Sequence, residues 1–248
     1  MDASANRIHN ALEAVALLRQ RHAADPEMAE AVKAVKRFQA RRFTATYSDL
    51  LHSPRYKTAA RFFLHELYSD KDYAERDQQF ARIANTIAKL FPQAVVNTAA
   101  ALAEVHSLTE GLDDLMARQW IVVEKQGSHA EECARYIHCW RRVGDAAARH
   151  RQLDVVLLLG EELDRLTRKP GLRMLLRMMR GPAAAAGLSS LQSFLESGFD
   201  AFADMRGAGD FLSTIRLREG ELISALFDDE LVACETKLRN LLAANNAV

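Results

Sequence analysis

LDVVLLLGEELDRL, residues 153–166, is the stretch on which the fold turns. Its first turns are apolar on every side and its later turns amphipathic, the pattern of a helix that crosses the centre of a bundle and then meets solvent. Outward from it, apolar residues recur three and four apart in almost every segment, while alternating β-branched runs bounded by turn residues are missing. The spacing predicts an all-α chain of about ten helices packed around a central apolar helix near 153–166.

Helix punctuation divides the rest. Asp25-Pro26 and Ser53-Pro54 set a capping residue before a proline at the first helical position, where the missing N–H costs nothing. Asp72 with Glu75, and Ser128 with Glu131, have the spacing of capping boxes. Helices are expected near 4–23, 27–51, 54–68, 73–90, 92–125, 129–143, 146–168, 171–180, 183–205, 210–226 and 229–243, with breaks at Gly144-Asp145, Lys169-Pro170-Gly171, Gly181-Pro182 and Gly207-Ala208-Gly209. These connections are short and no Pro- or Ser-rich linker appears, so residues 1–248 are expected to form a single domain.

Composition narrows the function classes. Apolar residues make up 49% of the 248 and charged ones 27%, which is globular usage. With 33 basic against 33 acidic side chains the formal net charge is +0, so nothing global drives the chain toward nucleic acid or anionic lipid. The start carries Asp2 and Arg7 but no apolar leader, and no run is long enough to span a bilayer, which excludes membrane insertion. Cys133, Cys139 and Cys234 are too few and too odd for a disulfide framework, and a cytoplasmic setting is expected.

Chemistry-bearing residues cluster in RFFLHELYSDKDYAERD, residues 61–77. On a helical wheel Tyr56, Ala60, Phe63, Leu64 and Leu67 share one face and Arg61, His65 and Tyr68 another, with Phe62 off the main apolar face. Phe62, Phe63, His65 and Tyr68, with His106 from the long helix, are the candidate ligand or partner surface; Asp72, Glu75 and Arg76 are read as a structural corner. His106, Glu110 and Asp113 lie on the shoulder of the 92–125 stripe, where a histidine with two carboxylates suits a general base or bridges core and solvent. His129 and Cys133, four apart, are weak metal candidates, because no C-x-x-C or H-x-x-x-H supplies further ligands. Lys33, Arg37 and Arg41, and Arg173, Arg177 and Arg180, form basic stripes that read as solvated faces rather than nucleic-acid contacts. No phosphate loop, dinucleotide fingerprint, H-E-x-x-H, nucleophile elbow or Glu-x-x-His pair is present.

Three segments are familiar as a set: residues 53–83 with the RFFLHELY…RD core, HSLTEGLDD from 106 to 114, and RKPGLRMLLRMMRGPAAAAGLSSLQSFLESGFDAF from 168 to 202. Together they resemble a family of uncharacterised helical proteobacterial proteins, with Ser69 standing where that pattern has a glycine. The resemblance implies a bacterial cytosolic protein of the same all-helical fold, and it brings no activity, cofactor or catalytic residue.

Two classes of function follow. The first is a non-enzymatic interaction or regulatory protein whose helical surfaces bind a protein partner or a second copy as a homodimer. The second is a sensor or carrier holding a small hydrophobic ligand or haem between helices, with no other cofactor expected. An enzyme with dispersed catalytic residues is the third.

Overall fold

The computed structural model describes residues 3–66, 71–91, 93–126 and 131–245. Those residues are helical almost throughout, with no strand among them. The helices are α1 (Ala3–Ala24), α2 (Pro26–Thr46), α3 (Ser48–His52), α4 (Lys57–Glu66), α5 (Ala74–Leu90), α6 (Gln93–Lys125), α7 (Glu132–Val143), α8 (Ala146–Thr167), α9 (Leu172–Met178), α10 (Arg180–Ala185), α11 (Ser189–Met205), α12 (Gly209–Asp228) and α13 (Leu231–Asn245). The all-α fold is as expected, in more pieces than expected.

Local chemistry sets most boundaries. Asp25 caps α2 by accepting from the Met28 N–H at 3.1 Å, with Pro26 at the first turn. Gly144, at φ 70°, closes α7, and Asp145 then opens α8 by accepting from the Ala148 N–H at 2.8 Å. The helix expected over 27–51 divides at Tyr47, whose φ of −114° and ψ of 24° leave the helical region while its ring is buried. Pro54 opens a turn, and regular helix starts only at Lys57. The Arg82 guanidinium from α5 holds the Ala186 and Gly187 carbonyls at 2.6 Å, just beyond the end of α10.

The central place expected for 153–166 belongs to α6. At 33 residues it runs about 50 Å and packs against α1, α2, α7 and α8. Its buried residues extend from Val96 to Val123, and small ones such as Ala100 and Ala103 let α1 come close. α8 is one-sided instead: Leu157 and Gly160 face inward while Leu158 is 51% exposed. A Cβ on Gly160 would stand 2.6 Å from Leu212 Cδ2, so the missing side chain permits the close crossing of α8 and α12.

Among the described residues three apolar clusters result. Phe38, Trp120, Ile137 and Leu226 centre one, between α2, α6, α7, α12 and α13. Phe43, Phe63, Leu157, Phe202 and Phe211 centre the second. Ile8, Leu12, Phe80, Ala103 and Leu191 form the third, where α1, α5, α6 and α11 meet. Where the three adjoin, the helices turn ionisable side chains inward.

Candidate functional site: a charged central cavity

A cavity of about 130 Å³ lies at that junction, lined by α1, α2, α4, α5, α6, α7, α8, α11 and α12. Part of its wall is apolar, from Phe43, Phe63, Phe80, Leu102 and Ile215, but Lys36, Arg42, Arg76, Arg149, His106, Glu66, Asp77, Glu110, Asp113 and Glu219 also line it. Burying one ion in such a place costs several kcal/mol unless geometry and hydrogen bonds compensate, so the partners of each group decide its state.

At one end Asp77, 4% exposed, gathers basic side chains from three helices. His106 Nε2 lies 2.8 Å from its carboxylate, Arg19 donates at 2.7 Å from α1, and Arg76 reaches it at 3.4 Å. Burial pushes this carboxyl up, but His106, Arg76 and Arg19 outweigh it and hold the group at about 2. Arg76 itself stacks on the rings of Tyr73, at 4.1 Å, and Phe194, at 4.7 Å, with Glu66 3.8 Å away.

At the other end Glu219 accepts from Arg42 and, at 2.8 Å, from the Tyr47 hydroxyl. Lys36 donates to Glu110 at 2.6 Å; burial pushes Glu110 up, and the cations, Lys36 foremost, pull it net downward. Asp113 goes the opposite way. Its burial, reinforced by the neighbouring Glu110 charge, raises it against the pull of Lys36 and Arg149. Gln39 donates to it at 3.0 Å. The Arg149 guanidinium lies 3.9 Å over the Trp140 ring. Between the two ends, Gln152 donates to the Thr109 hydroxyl at 2.7 Å.

One cavity therefore holds a histidine fixed by an ionised aspartate and a second aspartate biased toward its neutral form. Divergent acids in one site are the usual basis of proton donation and acceptance, and a neutral carboxyl can donate a hydrogen bond that a carboxylate cannot.

Residues 18–232 match one family profile over most of the chain, and every ionisable residue lining the cavity falls inside that span. The chain belongs to the family described as a domain of unknown function, DUF8198. No curated protein and no solved structure matches it. No helix among the described residues is long and apolar enough to cross a membrane.

Of the candidate surface, Phe63 and His106 line the cavity. Phe62 lies against Phe194 and Gly198 of α11, so a second helix covers the ring that falls off the main apolar face. His65 is exposed, its carbonyl accepting from the Tyr73 hydroxyl at 2.8 Å; Tyr68 lies outside the described residues. At the corner, Asp72 accepts from the Ala74 N–H at 2.8 Å, one residue earlier than a capping box requires, and Glu75 accepts from Gln79. His129 lies outside the described residues; Cys133 is buried, and burial pushes its thiol up. Among the described residues no three His, Cys, Asp or Glu side chains group as metal ligands. The basic stripes meet carboxylates: Lys33 and Arg37 pair with Glu30, Arg41 with Glu132, Arg173 with Asp200 and Arg180 with Glu196.

Sequence reading missed Arg42, Arg149 and Glu219. Each had a signal: a charge at core register. Arg42 stands four residues after Phe38, Glu219 midway between Ile215 and Ile223, and Arg149 four before Leu153.

Proposed function

We propose that this protein binds a small polar molecule in its central cavity. The carrying observation is the concentration of buried ionisable groups around a space of about 130 Å³, with Asp77 and Asp113 driven in opposite directions. An apolar carrier would line such a space with aliphatic and aromatic groups alone. The size argues against haem as well, since a cavity of roughly 150 Å³ accommodates benzene.

A thermal-shift screen of small acids, amines, amides and polyols tests this. A true ligand at about 100 times its Kd adds about 2.7 kcal/mol to stability, and filling the cavity with Thr109→Leu removes the shift. Absence of any shift in the natural chain, or a shift that survives Thr109→Leu, would refute the reading.

A partner-binding face is a second reading, on a separate observation. α9 buries none of its residues, and Met174, Leu175, Met178 and Met179 are 69, 53, 67 and 45% exposed. Exposed Met- and Leu-rich strips of this kind favour adaptable contacts. Light scattering over a concentration series, with Met174→Glu/Met178→Glu beside the natural chain, tests self-association through this face; a monomer throughout counts against a homodimer.

A further inference from the structure

Two buried donors on the cavity wall point to what the ligand presents, given the reading that the cavity takes a small molecule at all. Trp140 lines the cavity from α7 and is 6% exposed, and its indole N–H has no acceptor in the protein. An indole nitrogen can only donate, and a buried one usually finds a partner, because leaving it unmet costs the desolvation of the group. The ring packs on Tyr136 at 5.9 Å and Phe227 at 5.7 Å, with the Arg149 guanidinium 3.9 Å over it, so the N–H keeps its direction. Toward the Asp77 end, Arg76 Nη1 is also buried without a hydrogen-bond acceptor, Glu66 standing 3.8 Å away.

Among the described residues that line the cavity, no buried side-chain oxygen is left unmet. The wall therefore has donors to give and no acceptor waiting. Its ions largely meet one another: Lys36 faces Glu110, Arg42 faces Glu219, and Arg19 and Arg76 face Asp77. A ligand that completes this wall brings an acceptor, and it needs neither a net charge nor a donor of its own. A carbonyl oxygen offers two lone pairs to N–H groups, and Leu153, Val156, Ile215 and Ile223 supply an apolar surface for the rest of the molecule.

We propose that the cavity binds a small neutral carbonyl compound, its oxygen accepting from Trp140 Nε1 and its hydrocarbon part against Leu153, Val156 and Ile215. A space of about 130 Å³, beside the roughly 150 Å³ that takes benzene, suits a molecule of about six non-hydrogen atoms.

Cyclopentanone, methylenecyclopentane and cyclopentylamine, titrated into the full chain, test this. The first two share one shape and differ in whether oxygen or carbon ends the double bond; the third puts a charged donor there. Trp120 and Trp140 are the two tryptophans, so a proton–nitrogen correlation spectrum holds two indole signals, which Trp120→Phe assigns. Cyclopentanone is expected to move the Trp140 N–H proton downfield and to bind more tightly than methylenecyclopentane, with cyclopentylamine not binding. Trp140→Phe keeps a ring beneath Arg149 and should lower the ketone-to-alkene affinity ratio about tenfold in calorimetric titration. If that variant does not fold by circular dichroism, the probes and the N–H signal in the natural chain decide alone.

Cyclopentanone that binds without moving that signal, or no better than methylenecyclopentane or cyclopentylamine, overturns the carbonyl assignment and leaves the cavity reading standing. A signal shift that survives Thr109→Leu puts the contact outside the cavity and overturns it too. Failure of every ketone from propanone to cyclohexanone to bind also overturns it. In that case hits of another class in the thermal-shift screen preserve small-molecule binding, and an empty screen ends both.

Discussion

Asp77→Asn isolates the electrostatics of the cavity, because the two side chains are isosteric and only the charge and one acceptor change. In the natural chain the carboxylate meets Arg19, His106 and Arg76 at 2.7, 2.8 and 3.4 Å while 4% exposed. Removing one partner from such a buried set costs about 3–5 kcal/mol. The pH dependence gives a sharper test than the size. Asp77 is held at about 2 against an ordinary 3.8, a difference worth roughly 2–3 kcal/mol. The folded pKa is depressed, so this stability is fully present well above 3.8 and is lost as pH falls through about 2. Linkage puts the loss at about 1 kcal/mol by pH 3 and about 2 kcal/mol by pH 2. Asparagine does not titrate, so the difference between natural chain and variant should shrink by those amounts. Urea unfolding followed by far-UV circular dichroism at pH 6, 4 and 3 measures it. A difference that stays flat from pH 6 to pH 3 would refute the assignment of Asp77 as the ionised anchor.

A Cβ on Gly198 would lie 3.0 Å from Phe62 Cζ, so Gly198→Ala should destabilise, Phe62→Ala should cost about 2–4 kcal/mol, and the double variant should cost less than the sum; additive costs in chemical unfolding would show that the two do not touch. Glu219→Gln, facing the buried Arg42, should lower stability by about 3–5 kcal/mol, whereas Arg42→Met with Glu219→Met should cost far less, a contrast that thermal unfolding of the three chains reads directly. Burial pushes the thiols of Cys133, Cys139 and Cys234 up, Cys139 to about 12, so Ellman's reagent should label the native chain only as fast as it unfolds; rapid labelling of any one would contradict its burial.

Helix existence was readable because its causes are local. The Asp25-Pro26 start and the Gly144-Asp145 break each rest on a few adjacent residues, and the structure makes the corresponding cap and left-handed turn. Which helix is central is a different kind of fact. Residues 153–166 have the higher density of large apolar groups, yet Leu158 faces solvent, while α6 is enclosed partly through alanines that hydropathy ranks low. Enclosure depends on how closely neighbours approach, and Ala100 and Ala103 act through what they omit.

The site was half readable for the same reason. His106, Glu110 and Asp113 share a shoulder of one helix, so spacing alone groups them. Their partners do not: Asp77 lies 29 positions from His106, and Lys36 and Gln39 each 74 from the carboxylates they meet. No local pattern encodes such pairs. What the sequence does contain is the anomaly that announces them, a charge at a position where the helical period calls for an apolar side chain, as at Arg42 and Glu219. One buried charge is a liability, but several on different helices, each at core register, must find one another, and packing methionine or leucine in their place would often be neutral or stabilising. Stability alone therefore does not account for a charged cavity at the meeting point of three apolar clusters. The proposed ligand role would account for it, because a site that recognises a polar ligand away from water has to present its charged groups there before the ligand arrives.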